Sequence, residues 1–146
     1  MRSAPKIRRV KLKVGQKDDS VLLGIVTAEA DYKISLALNR NLGISLKNRP
    51  PVILNDDTGN EILFSRFSDS SDSTNLSWDL ISNRSGKNHL VRKLKNIDYI
   101  LRIQDPDNEL NIEQAAAALR VLDCITALFT LDAATIKDKN LIHLIH

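Results

Sequence analysis

The chain contains one cysteine, Cys124, and no apolar run near the length of a membrane span. A single thiol cannot form an intrachain disulfide, so a disulfide-stapled secreted scaffold is excluded, and this cysteine usage points to a reducing cytoplasm. A bilayer-crossing helix needs about 20 consecutive apolar residues, and no membrane span is expected. Neither G-x-x-x-x-G-K-[ST] nor G-x-G-x-x-G occurs, which removes the two glycine-rich phosphate cradles. The segment Ser68–Asn75, SDSSDSTN, offers Asp69 and Asp72 but lacks the glycine and the bidentate glutamate of a calcium loop, so a solvated, mobile loop is expected there. No internal repeat is visible, which excludes a solenoid.

What is present suffices for one domain. The 146 residues are 42% hydrophobic, too apolar for a disordered chain and long enough to bury a core. The net charge of +3 is unevenly spread: residues 1–17 hold seven cations and no acid, so the rest of the chain is mildly acidic. That opening, MRSAPKIRRVKLKVGQK, has no apolar h-region, and a secretory signal is not expected. Residues 1–20 read as a basic arm or an edge strand in which Val10, Leu12 and Val14 alternate with lysines. Arg8, Arg9, Lys11 and Lys13 are candidate anion contacts, although no aromatic residue is interleaved with them to stack bases.

From residue 21 onward, hydrophobic periodicity predicts a single α+β domain. Val21–Thr27 is a continuous apolar run, a buried strand in which Gly24 marks a bulge or a close backbone approach. Glu29–Leu42 carries Ile34, Ala37, Leu38 and Leu42 on one helical stripe, with Gly43 as its C-terminal cap. Pro50–Pro51 breaks the chain, and Val52–Leu54 with Glu61–Phe67 flank the turn Asn55–Asn60. Leu76, Trp78 and Leu80 alternate on a further strand that ends at the turn Asn83–Asn88. In Leu90–Gln104, a basic run-in precedes a central strand in which Ile97, Tyr99, Leu101 and Ile103 share a face. Asn111 is a natural N-cap for a helix over Ile112–Leu122. Ile125–Leu131 is the last strand, with Ile125, Ala127, Phe129 and Leu131 on one face. The order is β-α-β-β-β-β-α-β, which assembles most simply into one mainly antiparallel sheet with both helices on one face. Residues 21–146 form this domain and end in an apolar tail, where Leu141, Ile142, Leu144 and Ile145 either dock on the domain or form a homodimer contact.

The segments ADYKISLALNRNLGI, LISNR and NIDYIL, with this order of elements, resemble the bacterial IPExxxVDY family of unknown function over about Leu22 to Leu131. The signature's valine, aspartate and tyrosine fall on Ile97, Asp98 and Tyr99. Its Ile-Pro-Glu positions carry Val91, Arg92 and Lys93. The resemblance implies a cytoplasmic bacterial protein with no established activity and no known cofactor.

The remaining candidates for chemistry are sparse. Asp98 and Tyr99 point to opposite faces of a strand and cannot form a direct pair; Tyr99 is expected in the core and Asp98 on a turn or beside Arg102. Cys124 lacks an obvious base among His89, His143 and His146, and reads as a small buried hydrophobe. His143 and His146 stand three apart with only Asp138 near, so no metal site and no cofactor are expected. Lys87, Arg92, Lys93 and Lys95 form a second basic cluster, the one place on the body for an anionic partner. A small non-enzymatic cytoplasmic binding or regulatory module is therefore expected. The alternative is an accessory protein that contacts RNA or another polyanion through its basic arm.

Overall fold

The apolar run Leu22-Leu23-Gly24-Ile25 can be buried only where both faces of its strand are covered. The fold, a computed structural model, describes residues 20–70, 75–132, 134–136 and 138–141 and places this run one strand in from the sheet edge. The strands are β1 (Ser20–Val26), β2 (Lys47–Asn55), β3 (Glu61–Ser70), β4 (Ser77–Ser82), β5 (Arg84–Ser85), β6 (Asn88–His89), β7 (Tyr99–Gln104) and β8 (Ala127–Leu131); the helices are α1 (Asp31–Leu42) and α2 (Ile112–Arg120). Six strands form one sheet in the order β2-β3-β4-β7-β1-β8, and every neighbouring pair is antiparallel. β5 and β6 form a separate small hairpin. The α+β architecture is thus the one the periodicity predicts. β7 and β8 both run antiparallel to β1, so α2 carries the chain from one side of β1 to the other.

The two sheet faces have different covers. On the first, Leu80, Leu101 and Leu23 align across β4, β7 and β1 and pack with Ile34 and Leu38 of α1 and Ala116 and Leu119 of α2. Both helices therefore lie on this face. Full burial of a leucine or isoleucine contributes about 1.5–3 kcal/mol each. Gly43 caps α1 in the left-handed conformation (φ 67°), donating its N–H to the Asn39 carbonyl at 2.9 Å. Asn111 caps α2, its side chain accepting the Gln114 N–H at 3.1 Å.

Neither α1 nor α2 lies on the second face. Leu22, Phe64, Ile81 and Ile100 are covered there by Leu90, Val91 and Ile97 from the connection between β6 and β7. Ile97 does not share a face with Tyr99, as alternation predicts. It precedes the strand, and its side chain lies over Gly24. Gly24 is a close approach: a Cβ there would stand 2.8 Å from Ile97 Cδ1 and 3.3 Å from both Cγ atoms.

Three further expectations are corrected. Pro50 and Pro51 do not break the chain; β2 runs through them with a register shift between Arg49 and Val52, because an edge strand need not donate on its outer side. Ser68 and Asp69 belong to β3 and pair with Asp79 and Trp78. In β8 the core residue is Leu128, not Ala127 or Phe129; Phe129 is half exposed. The arm residues Arg8, Arg9, Lys11 and Lys13 and the tail residues Ile142, Leu144 and Ile145 lie outside the described residues. At Leu141 only the backbone is described, in a short 3-10 turn, Lys139–Leu141. No helix among the described residues is long and apolar enough to cross a membrane.

Gly24→Ala should destabilise the fold by roughly 1–3 kcal/mol through overpacking against a stiff β-branched side chain. Ile97→Val removes the nearest clashing atom and should cost less in the Gly24→Ala background than in the parent chain. A double-mutant cycle by urea denaturation measures that coupling.

Candidate anion-binding site

Residues 83–98 have few ladder bonds, so their shape depends on side chains. Asn83, fully buried, supplies most of them. Its Nδ2 donates to the carbonyls of Leu94 (2.9 Å) and Ile97 (3.0 Å), and its Oδ1 accepts the Val91 N–H (2.8 Å). Its backbone donates to the Asp98 carbonyl and accepts from the Leu90 N–H. Every polar group of the residue is satisfied, as burial requires. The loop closes around this amide, and Leu90, Val91 and Ile97 turn inward onto the sheet.

Asp98 and Tyr99 fasten the loop's exit. Asp98 accepts the Thr27 N–H at 2.9 Å and pairs with Arg84 Nε at 2.6 Å. The partner is thus Arg84 rather than Arg102, because Asp98 lies before β7 begins, at the end of the sheet where Arg84 also stands. Arg84 also donates to the Lys95 carbonyl at 3.1 Å. Tyr99 is a core residue whose hydroxyl donates to the Glu29 carbonyl at 2.9 Å. Burial first, and then the carboxylates of Asp31, Asp98 and Glu29, push its pKa up to about 12. These contacts are structural and leave no reactive pair.

The outward side of the same loop is cationic. Lys87, His89, Arg92 and Lys95 line a cavity of about 450 Å³, with Asn88, Lys139 and Asn140 beside them. The opposite wall is the tip of the β2–β3 hairpin: Leu54, Asn55, Asp56, Asp57, Ile62 and Phe64. The tail brings Lys139 in, because Asp138 accepts the Arg92 N–H at 2.8 Å and Asn140 Nδ2 donates to the Leu90 carbonyl at 2.7 Å. Asp56 is held by its own turn, where its Oδ1 accepts from the Thr58 hydroxyl and from the N–H groups of Thr58 and Asn60. The Thr58 hydroxyl first, and then the Asn60 N–H, hold this carboxyl below its usual pKa.

Among the described residues, Lys87, Arg92, Lys95 and Lys139 form no ion pair, whereas Arg66, Arg84 and Arg102 each do. His89 Nε2 is buried and has no hydrogen-bond partner among the described residues. A buried polar atom left so costs about 1–3 kcal/mol until a ligand or water engages it. The basic cluster seen in the sequence is therefore brought together at Arg92 and Lys95, with Lys87, while Lys93 is exposed and outside the cavity wall. His89, Lys139 and the hairpin carboxylates are additions that only the tertiary fold supplies.

A second cavity, about 360 Å³, lies toward the other end of the same face, beside Arg66, Ser68, Asp79 and Arg102. Its polar groups serve one another: Asp79 accepts from Arg66 (3.1 Å), Arg102 (3.3 Å) and the Ser68 hydroxyl. Cys124 is a free, half-buried thiol packed against the helix-covered core, across the sheet from His89. No group of three histidine, cysteine, aspartate or glutamate side chains gathers at metal-binding spacing among the described residues. No family model, no curated protein and no solved structure matches this chain.

Asn83→Ala strands two carbonyls and one N–H in the interior and should cost about 3 kcal/mol or more, read by urea denaturation. For Tyr99 the folded pKa lies above the unfolded value of 10.0, so folding favours the neutral phenol. Its contribution is complete below pH 10 and is lost as pH rises through about 12. Tyr99→Phe should remove that loss from the alkaline stability profile.

Proposed function

We propose that this protein is a small, non-enzymatic, cytoplasmic binding module that holds an anionic ligand in the cavity between the β2–β3 hairpin and the 84–95 segment. The observation that carries this reading is the convergence of Lys87, Arg92, Lys95 and Lys139, none ion-paired among the described residues, on one cavity whose wall also holds His89. Like charges held together repel, and an anion relieves that repulsion while gaining several charge-assisted hydrogen bonds. Membership of the bacterial IPExxxVDY family belongs to the same proposal. Asp98 and Tyr99 of that motif fasten the loop that carries the cations.

A second reading keeps the basic segment, residues 1–17, as a contact for RNA or another polyanion, on the strength of its seven cations and no acid. The two readings separate in one set of titrations at low salt. Inorganic pyrophosphate should bind the full chain, and Arg92→Glu with Lys95→Glu should weaken it roughly tenfold to a hundredfold per lost contact, at about 1.5–3 kcal/mol each. Removal of residues 1–17 should leave pyrophosphate binding unchanged. An RNA oligonucleotide whose binding is steeply salt-dependent and vanishes on that removal would favour the arm. Pyrophosphate binding that is absent, or indifferent to Arg92 and Lys95, would refute the cavity.

A further inference from the structure

We infer that the ligand of this cavity is a phosphate monoester of a small polyhydroxylated molecule, a sugar phosphate in chemical class, with its phosphate on the cationic wall and its hydroxyls on the hairpin tip. This rests on the anion-binding reading above and narrows it.

The charge of the lining sets the first limit. Four cations, Lys87, Arg92, Lys95 and Lys139, face two carboxylates, Asp56 and Asp57, for a net +2. A phosphate monoester is close to a dianion at neutral pH, since its second pKa is about 6. A nucleic acid, with a charge on every nucleotide, would leave excess negative charge against the carboxylate wall. The distribution of that charge sets the second limit. The cations come from the 84–95 segment and the tail, whereas the acids come from the β2–β3 turn, so the cavity is basic on one side and rich in acceptors on the other. Inorganic phosphate satisfies only the basic side and is repelled by the other. A ligand that adds hydroxyl donors turns Asp57 from a repulsive neighbour into a hydrogen-bond partner, with the neutral amide of Asn55 beside it. Asp57 is available for this, because Oδ1 of Asp56, not Asp57, organises the turn.

The third limit is aromatic. Phe64 is the one aromatic ring of Phe, Tyr or Trp type in the wall, and it is fully buried in the second-face core. No phenyl, phenol or indole face is presented for a base, which disfavours nucleotides and single-stranded nucleic acid. The volume of about 450 Å³ sits in the small-molecule range of roughly 300–1,000 Å³. His89 stands in the same wall and offers its imidazole as a further polar contact for a phosphate oxygen.

The test is calorimetric titration of the full chain with glucose 6-phosphate, inorganic phosphate, glucose and adenosine 5′-monophosphate. Glucose 6-phosphate should bind at least tenfold more tightly than inorganic phosphate, and glucose alone should not bind. Asp57→Ala should act in opposite directions on the two anions, weakening glucose 6-phosphate several-fold and strengthening inorganic phosphate. His89→Gln should weaken both anions. Equal affinity for glucose 6-phosphate and inorganic phosphate, or an Asp57→Ala change of the same sign for both, overturns the sugar phosphate while leaving an anion site in place. Tighter binding of adenosine 5′-monophosphate overturns it in favour of a nucleotide. Failure of all phosphates to bind removes this inference and the anion site together. Asp57 is exposed in a turn, so thermal melting should show the variant folded.

Discussion

The buried amide of Asn83 is the interaction on which the rest of this structure depends. A sheet with α1 and α2 on the same side needs a second cover, and among the described residues much of that cover is a connection with almost no regular hydrogen bonding of its own. One side chain takes over the role of a ladder, reaching Val91, Leu94 and Ile97 from a single point. The loop so closed has two sides. Its inner side seals Leu22, Phe64, Ile81 and Ile100 from water; its outer side presents Lys87, Arg92 and Lys95. Core closure and the cationic wall are therefore consequences of the same local geometry.

Around this point the fastening is distributed over distant parts of the chain. Arg84 and Thr27 converge on Asp98, Tyr99 reaches back to Glu29, and the tail is tied in through Asp138 and Asn140. The one ion pair among these contacts, Arg84–Asp98, and the hydrogen bonds beside it each contribute little alone, about 0–1.5 kcal/mol. Their effect is geometric: they fix where Lys95, Arg92 and Lys139 stand relative to the hairpin tip. Rigid placement is what lets several like charges be held close together without collapsing onto nearby acids.

Much of the architecture was legible in the residues. Ile34 and Leu38 at helical spacing, Gly43 as a stop, Asn111 as a cap and the unbroken apolar run of β1 each act over a few positions, and each appears as the periodicity predicts. What was not legible depends on neighbours far along the chain. Ile97 alternates with Tyr99 in sequence but faces the other way, because Asn83 holds its carbonyl and Gly24 leaves room for its side chain. Pro50 and Pro51 look like a break until β2 is known to be an edge. The basic cluster was visible at Lys87, Arg92 and Lys95, yet the facing Asp57, and His89 and Lys139 beside it, come together only through the packing of β3 on β5 and the docking of the tail. Asp98 found Arg84 instead of Arg102 for the same reason: Arg102 is already committed to Asp79 on the neighbouring strand.

Hydrogen exchange at the Leu90 and Val91 amides tests the central claim most directly, since the Val91 N–H is held by the Asn83 side chain and the Leu90 N–H by the main-chain carbonyl of the same residue. If the amide of Asn83 closes the second face, both should exchange only with global unfolding, as slowly as Leu23 and Leu101 in the middle of the sheet. Exchange at rates typical of an open surface loop would contradict it.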